Sequence, residues 1–360
     1  MKIVAVEPIL LNIPFGYGAR GQQSRASMQL LFVRVDTDAG VSGWGEAFGF
    51  KICPATHATI ASLLAPAFVG QDPSDVAGLM GKVGFDFKSG GRSGPVQFGL
   101  SGIDIALWDI AGKVAGKPIH ALLGGKKRDR VGAYASLNGF HDAQRAAADA
   151  AQAMSDGYRE VKLHERDTAC IAASRAAVGA ATPLMVDVNC VWSPDEALAM
   201  AREWEPYNLT WLEEPVWPPE DHAAMKRIRT ETRVPVSSGE NAQSPSDLIA
   251  LVREGIVDVL QPDVIKFGGI TETLPVMRAA AAAGVRLSPH SPYIGPGLIA
   301  SIHLSAVMDE DAICERFYLD FDASPLGSAA DATNGTLPVP DGPGLGVTVD
   351  EAVIARYRVD

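Results

Sequence analysis

Apolar runs that end in a carboxylate, a lysine or a histidine return roughly every 25 residues along this chain, an interval that few folds can use. The clearest is Thr210-Trp211-Leu212-Glu213-Glu214-Pro215, where the run closes on two carboxylates and proline stops regular structure. Leu184-Met185-Val186-Asp187-Val188-Asn189 upstream and Val236-Ser237-Ser238-Gly239-Glu240 downstream have the same form. One strand, one helix and two loops need about this length. The repeats therefore read as βα units of a barrel, each placing its polar group at the C-terminal end of a strand, on one rim. Lys162, Asp263, His290 and Glu315 continue the register in both directions. Asp187, Glu213 and Glu240 would converge on that rim, where three carboxylates repel one another unless a hard cation lies among them. An all-oxygen set favours Mg²⁺ over zinc.

The 360-residue chain accommodates a barrel of roughly 250 residues plus an addition, expected at the N-terminus. Residues 3–11, 28–36 and 41–48 read as strands of an antiparallel meander. Between the first two, Gly16, Gly18 and Gly21 suggest a mobile lid loop over about residues 14–27, in which Tyr17, Arg20 and Arg25 are candidates to meet a distal anionic group. The spacing of Leu100, Ile103, Leu107, Ile110 and Val114 predicts a helix over 97–115 with these residues on one face. From Arg130 the chain alternates strand and helix. Tyr134-Ala135-Ser136 ends the first barrel strand and Lys162-Leu163-His164 the second. Ser193-Pro194-Asp195-Glu196 is a capping box, and a helix from Thr271 to Ala283 ends at Gly284.

A net charge of −12 argues against nucleic acid or an anionic membrane surface as partner, and requires local positive charge for any anionic substrate. Cys53, Cys170, Cys190 and Cys314 are scattered and predict free buried thiols. The first six residues read as a strand with no leader features, and no apolar run has membrane-spanning length, so a cytoplasmic protein is expected. Lys88 to Gly94 is glycine-rich, but without a preceding strand or a Lys-Ser/Thr ending it reads as a loop rather than a phosphate cradle.

The segments Ala106-Leu107-Trp108-Asp109-Ile110-Ala111-Gly112-Lys113, Val186-Asp187-Val188-Asn189, Trp211-Leu212-Glu213-Glu214-Pro215 and Gly239-Glu240-Asn241 carry a further signal. With Pro262-Asp263-Val264-Ile265-Lys266-Phe267-Gly268-Gly269 and His290, they resemble the enolase superfamily, mandelate racemase subgroup, over nearly the whole chain. The resemblance implies an α/β fold: a modified (β/α)7β TIM-type barrel with an α+β N-terminal capping domain, and an active site between them. The expected division is residues 1–125 for the capping domain and 126–332 for the barrel. Residues 333–360 would form a strand and helix that pack back on the capping domain.

The same resemblance implies Mg²⁺ bound by Asp187, Glu213 and Glu240, and abstraction of a proton next to a carboxylate to give a metal-stabilised enediolate. Such a proton is too weakly acidic for an unaided side-chain base, and a divalent ion lowers the barrier. Lys162 would add a second positive charge, and strand alternation sends positions 162 and 164 to the same face. Asp263 would fix the tautomer of His290, making the pair a general base or acid. Protonated Glu315 would bond a substrate carboxylate oxygen. Asn189 and Tyr293 join Tyr17, Arg20 and Arg25 as candidate substrate-binding residues. Lys266 is expected to be supporting, since Asp263 stands where the muconate-lactonizing pattern has its lysine. The racemase pattern carries Lys-x-Lys on the second strand, and the Lys162-Leu163-His164 found here weakens symmetric two-base racemisation. The leading expectation is Mg²⁺-dependent dehydration of a sugar acid, an aldonate or aldarate, to a 2-keto-3-deoxy acid. Racemisation or epimerisation and lactone cycloisomerisation are alternatives. A non-catalytic metal- and ligand-binding protein is a remoter one, because binding alone would not require the acid–base pair. A homo-oligomer is common in the resembled family.

Overall fold

The computed structural model describes residues 1–21, 23–308 and 312–360. Its N-terminal part is built on one long hairpin. Strands β1 (Ile3–Tyr17) and β2 (Ser24–Thr37) pair antiparallel out to Tyr17 opposite Ser24, and β3 (Ser42–Ala47) adds to the far edge of β2. The expectation of a loop over 14–27 is thereby corrected. Residues 14–17 and 24–27 are strand and only the tip is a turn, of which position 22 lies outside the described residues.

The helix Gly94–Ala115 packs on β3 with Leu100, Ile103, Leu107 and Ile110 buried, whereas Val114, in its last turn, is exposed rather than on the packed face. Contact between strand and helix is backbone to backbone. A Cβ built on Gly45 would lie 1.8 Å from the carbonyl oxygen of Gly102, and one on Gly43 2.1 Å from that of Ala106. Asp109 then ties the helix to its surroundings, accepting from the Trp44 and Leu345 amides and from Lys113. Gly45→Ala should destabilise the protein by about 3 kcal/mol or more, because neither backbone can yield. Thermal unfolding checks this, and an unchanged melting temperature would show that the two backbones are not in this contact.

Eight parallel strands form the barrel: β4 (Arg130–Ser136), β5 (Val161–Leu163), β6 (Leu184–Asp187), β7 (Trp211–Glu213), β8 (Val236–Ser238), β9 (Val259–Leu260), β10 (Arg286–Leu287) and β11 (Ile313–Phe317). They pair in sequence from β4 to β10, and β11 pairs with β4. A helix follows each of the first seven, from Ala143–Ser155 to Pro296–Ala306, so the chain adopts the expected (β/α)7β barrel beside an N-terminal sheet domain. Strand alternation sets the two faces. Leu163, Val186, Leu212 and Leu260 pack in the main barrel core, while Tyr134, Met185, Trp211, Val259 and Ile313 form a separate cluster. Met185 and Trp211 each stand two positions before a rim carboxylate, so the same face that carries apolar bulk inside carries acid at the rim. Between β10 and β11 there is no shared ladder among the described residues. The hydroxyls of Ser288 and Ser291 bridge that seam to the carbonyl oxygens of Ile313 and Glu315.

Local signals behave as their chemistry dictates. The Ser193 amide and hydroxyl both donate to Glu196 at the start of the helix Pro194–Trp204. The helix Gly269–Ala283 begins two residues earlier than expected and stops at Gly284, whose φ of 65° is left-handed. Beyond the barrel, β12 (Asp320–Phe321) pairs with β1 at Phe15 and Gly16. The last strand, β13 (Thr336–Pro338), pairs with β4 of the barrel and not with the N-terminal sheet. The closing helix Glu351–Tyr357 does return to β1, where Arg358 bonds Glu7 at 2.8 Å. All four cysteines are free and buried. No helix among the described residues is long and apolar enough to cross a membrane.

Candidate active site

Asp187, Glu213 and Glu240 end or follow β6, β7 and β8, and one carboxylate oxygen from each lies within 4.8 Å of the others. Each is oriented by neighbours of its own. The Asn189 amide donates to Asp187 at 2.8 Å, Trp211 Nε1 to Glu213 at 2.8 Å, and Asn241 Nδ2 to Glu240 at 3.0 Å. Asn189 thus contributes its backbone, at φ 49°, while its residue is exposed. Burial raises Glu213, and the charges of Asp187, Glu315 and Glu240 add to the effect against the pull of Lys162. An acid-only cluster under such repulsion fits a hard divalent cation.

Glu214, the second carboxylate of the pair, faces elsewhere. It accepts from Ser238 Oγ at 2.8 Å, Cys190 Sγ at 2.7 Å and Asn241 Nδ2 at 2.9 Å, pinning three loops behind the cluster. Lys162 is fully buried and reaches Glu213 at 2.6 Å, Glu315 at 2.9 Å and Asp187 at 3.4 Å. Glu315 also accepts from Ser136 Oγ at 2.7 Å, so both donors take Oε1 and Oε2 has no hydrogen-bond partner among the described residues. Burial works to raise Glu315, but Lys162 and His290 outweigh it, and the ionised form is favoured where the sequence suggested a protonated one. Arg316 is no competitor, since it donates to the carbonyl oxygens of Ala330 and Phe317.

The two histidines are held differently. His290 Nδ1 lies 2.7 Å from Asp263 Oδ2, and its Nε2 is 2.7 Å from Glu240 and 3.9 Å from Glu315. Burial alone would lower this imidazole, yet Glu240 and Asp263 more than offset it and hold it well above its ordinary value. His164 Nδ1 lies 2.6 Å from the carbonyl oxygen of Leu137, which can only accept, so this nitrogen carries a proton. Its Nε2 faces Asp187 at 3.2 Å, and that contact, opposed by burial, pulls it upward as well.

Tyr293, expected at the substrate, donates its hydroxyl to Asp263 Oδ2 and lies 3.4 Å from His290 Nδ1. Lys266 sits behind the cluster, 3.0 Å from Asn241 Oδ1 and over the Phe48 ring. Arg20 and Arg25 are not brought to this site. Their side chains are 73% and 58% exposed and pair with Asp156 at 2.9 Å and Asp322 at 2.6 Å. Tyr17 stacks on Phe140, with Arg145 on the same ring. The hairpin tip is therefore fastened to the barrel rim, and Asp156, which also accepts from Tyr318 and Gln152, is its anchor. Asp156→Ala should speed tryptic cleavage at Arg20 about threefold to fivefold, the scale of ~1 kcal/mol in exposed polar contacts. Equal cleavage rates would show that the other contacts, the pairing with β12, the Arg25–Asp322 bridge and the Tyr17–Phe140 stack, hold the hairpin without Asp156.

Sequence reasoning missed Ser136, Trp211 and Glu214. Alternation could have found Trp211, two positions before Glu213 on one strand. Ser136 and Glu214 act across strands, where no local pattern reports them.

Residues 4–124 match the mandelate racemase/muconate lactonizing enzyme N-terminal domain, and residues 145–353 the enolase C-terminal domain-like family. D-galactarolactone cycloisomerase of Agrobacterium fabrum is 32% identical, covering 100% of this chain and 99% of its own. Arabinonate dehydratase of Saccharolobus solfataricus is 31% identical over 92% of this chain and 91% of its own. The crystal structure of L-talarate dehydratase from Polaromonas sp. JS666, complexed with Mg and L-glucarate, superposes with a TM-score of 0.82 at 29% identity, covering 100% and 98% of the two chains. With matches at both ends of its length and its carboxylates on three successive strand ends, the chain belongs to the enolase superfamily, in its mandelate racemase/muconate lactonizing enzyme branch.

Proposed function

We propose that this enzyme dehydrates a sugar acid to a 2-keto-3-deoxy acid, with Mg²⁺ held by Asp187, Glu213 and Glu240. When bound, the ion would supply positive charge to the substrate carboxylate as its α proton leaves. The observation that carries the reading is the unequal backing of the two imidazoles. A carboxylate stands behind His290 and a neutral carbonyl behind His164. Asp263 stabilises the imidazolium, which suits His290 to give a proton to a leaving hydroxide. With Nδ1–H committed to Leu137, Nε2 is the nitrogen of His164 on which a proton can come and go, which suits it to take the α proton. Lys162 balances charge among the acids, and Tyr293 steadies Asp263. Two equivalent bases, as a racemase needs, are not what this pairing supports.

A second reading is cycloisomerisation of a sugar lactone, favoured by similarity to D-galactarolactone cycloisomerase along the full chain. One screen separates the two. Mono- and diacid sugars and their lactones are incubated with enzyme and Mg²⁺, and 2-keto-3-deoxy product is measured. Product from an open-chain acid supports dehydration. Conversion of lactones alone would replace it with the second reading.

A further inference from the structure

Four barrel helices start on caps from their own loops. Asp142 serves Ala143–Ser155, the Ser193–Glu196 box serves Pro194–Trp204, Asp221 serves His222–Glu231 and Ser244 serves Pro245–Arg253. The two helices that follow Asp263 and His290 do not. Gly269–Ala283 and Pro296–Ala306 begin after Gly268 and Gly295, which offer no side chain to the free amides. Their acceptors come from the N-terminal part of the chain. Asp104 Oδ1, on the helix Gly94–Ala115, accepts from Thr271 N at 3.1 Å, and Ser101 Oγ accepts from Gly268 N at 2.7 Å. Glu46 Oε2, on β3, accepts from Gly297 N at 2.9 Å.

Side chains that intrude at these starts, Phe32 beside Glu46 among them, leave no room for a Cβ. A Cβ at Gly269 would lie 2.2 Å from Asp104 Oδ1, and one at Gly295 2.6 Å from Glu46 Oε2. The Gly268-Gly269 pair of the sequence motif therefore makes room for a side chain from another part of the fold. The loop that carries Asp263 runs directly into the first of these helix starts, and the loop that carries His290 and Tyr293 into the second. The Phe48 amide, two positions past Glu46, also donates to Ile265 O at 3.2 Å in the Asp263 loop.

We propose that Glu46 and Asp104 are positioning residues for the His290–Asp263 pair, each capping from the N-terminal domain the barrel helix that follows one half of that pair. Docking of this domain thereby sets the separation of imidazole and carboxylate. Both carboxyls are fully buried; burial pushes Glu46 up to about 8 and Asp104 up to about 7. An uncharged carboxyl oxygen still accepts from an amide, so glutamine and asparagine should serve in their place.

The proposal rests on the acid–base role given to the pair above, but its test reads the pair's geometry and not turnover. In ¹⁵N-histidine-labelled protein, the Nδ1–H of His290, bonded to Asp263, should give a low-field proton signal that His290→Asn identifies. Glu46→Ala and Asp104→Ala should shift it markedly or lose it, while Glu46→Gln and Asp104→Asn keep it. Should an alanine variant fail to fold, Glu46→Asp withdraws the oxygen by one methylene and should shift the signal. Asp142→Ala, which removes a local cap elsewhere in the barrel, should leave it unmoved. An unchanged signal in Glu46→Ala or Glu46→Asp overturns the proposal. So does an equal change in Asp142→Ala, which would mark general loosening. If screening finds no dehydration while these shifts appear, the assigned reaction fails and the positioning role stands.

Discussion

His290→Asn is expected to lower dehydration about 10³-fold, within the usual range for a general acid, while the substrate α proton still exchanges with D₂O. Exchange needs the cation, Lys162 and one base; the three carboxylates, Lys162 and His164 all remain in the variant, although Glu240 loses its contact with the imidazole. His164→Asn should lose exchange and turnover together, because the imidazole whose Nδ1 is committed to Leu137 is the base. Asp263→Asn should resemble His290→Asn more mildly, since the ring remains but loses the carboxylate 2.7 Å from Nδ1. Proton NMR of recovered substrate in D₂O measures both quantities. Should His290→Asn abolish exchange and His164→Asn preserve it, the two roles are reversed, and a syn elimination on His290 alone is the better account. Exchange of one stereoisomer only in each single variant would remove the dehydratase assignment in favour of racemisation.

Removal of divalent ions with EDTA should abolish activity and Mg²⁺ should restore it. Glu213→Gln should bind Mg²⁺ far more weakly and lose activity by about 10³-fold or more, as a charged oxygen ligand becomes a neutral one. The same substitution gives a readout free of turnover. Saturating Mg²⁺ should raise the melting temperature of the wild type, by linkage worth about 2.7 kcal/mol at a hundred times Kd. In Glu213→Gln most of that rise should disappear. Full activity in a metal-stripped sample would sink the assignment of the carboxylate cluster to a cation.

Much of the site was legible because a barrel writes its rim into the sequence at a fixed interval. Asp187 and Glu213 end short strands, Glu240 follows one and Glu315 stands within β11, and alternation helps decide which neighbours point inward. Glu213, the last residue of β7, faces the cluster, while Glu214, past the strand end at φ 47°, faces the loops behind it. The flanks of the hairpin tip read as loop because Pro14, Gly16, Gly18 and Gly21 suppress strand propensity. They are strand because distant partners hold them, with Phe15 pairing with Phe321, and the turn itself is tied by Arg20 to Asp156, 136 positions away.

Taken alone, the sequence determined which residues could stand on one rim, the all-oxygen character of the cation site, and the replacement of a lysine by His164. The first two follow from strand periodicity, repeat length and side-chain chemistry, all of which are local; the third follows from the resemblance to the racemase pattern. Only the tertiary structure decided that Tyr293 bonds Asp263, that Ser136 and Lys162 occupy one oxygen of Glu315 and leave the other without a hydrogen bond among the described residues, and that two helix starts are capped from another part of the fold. Each is a hydrogen bond between groups far apart in the chain. Its partner is set by how elements pack, because a buried polar group takes whichever donor or acceptor the fold brings within reach.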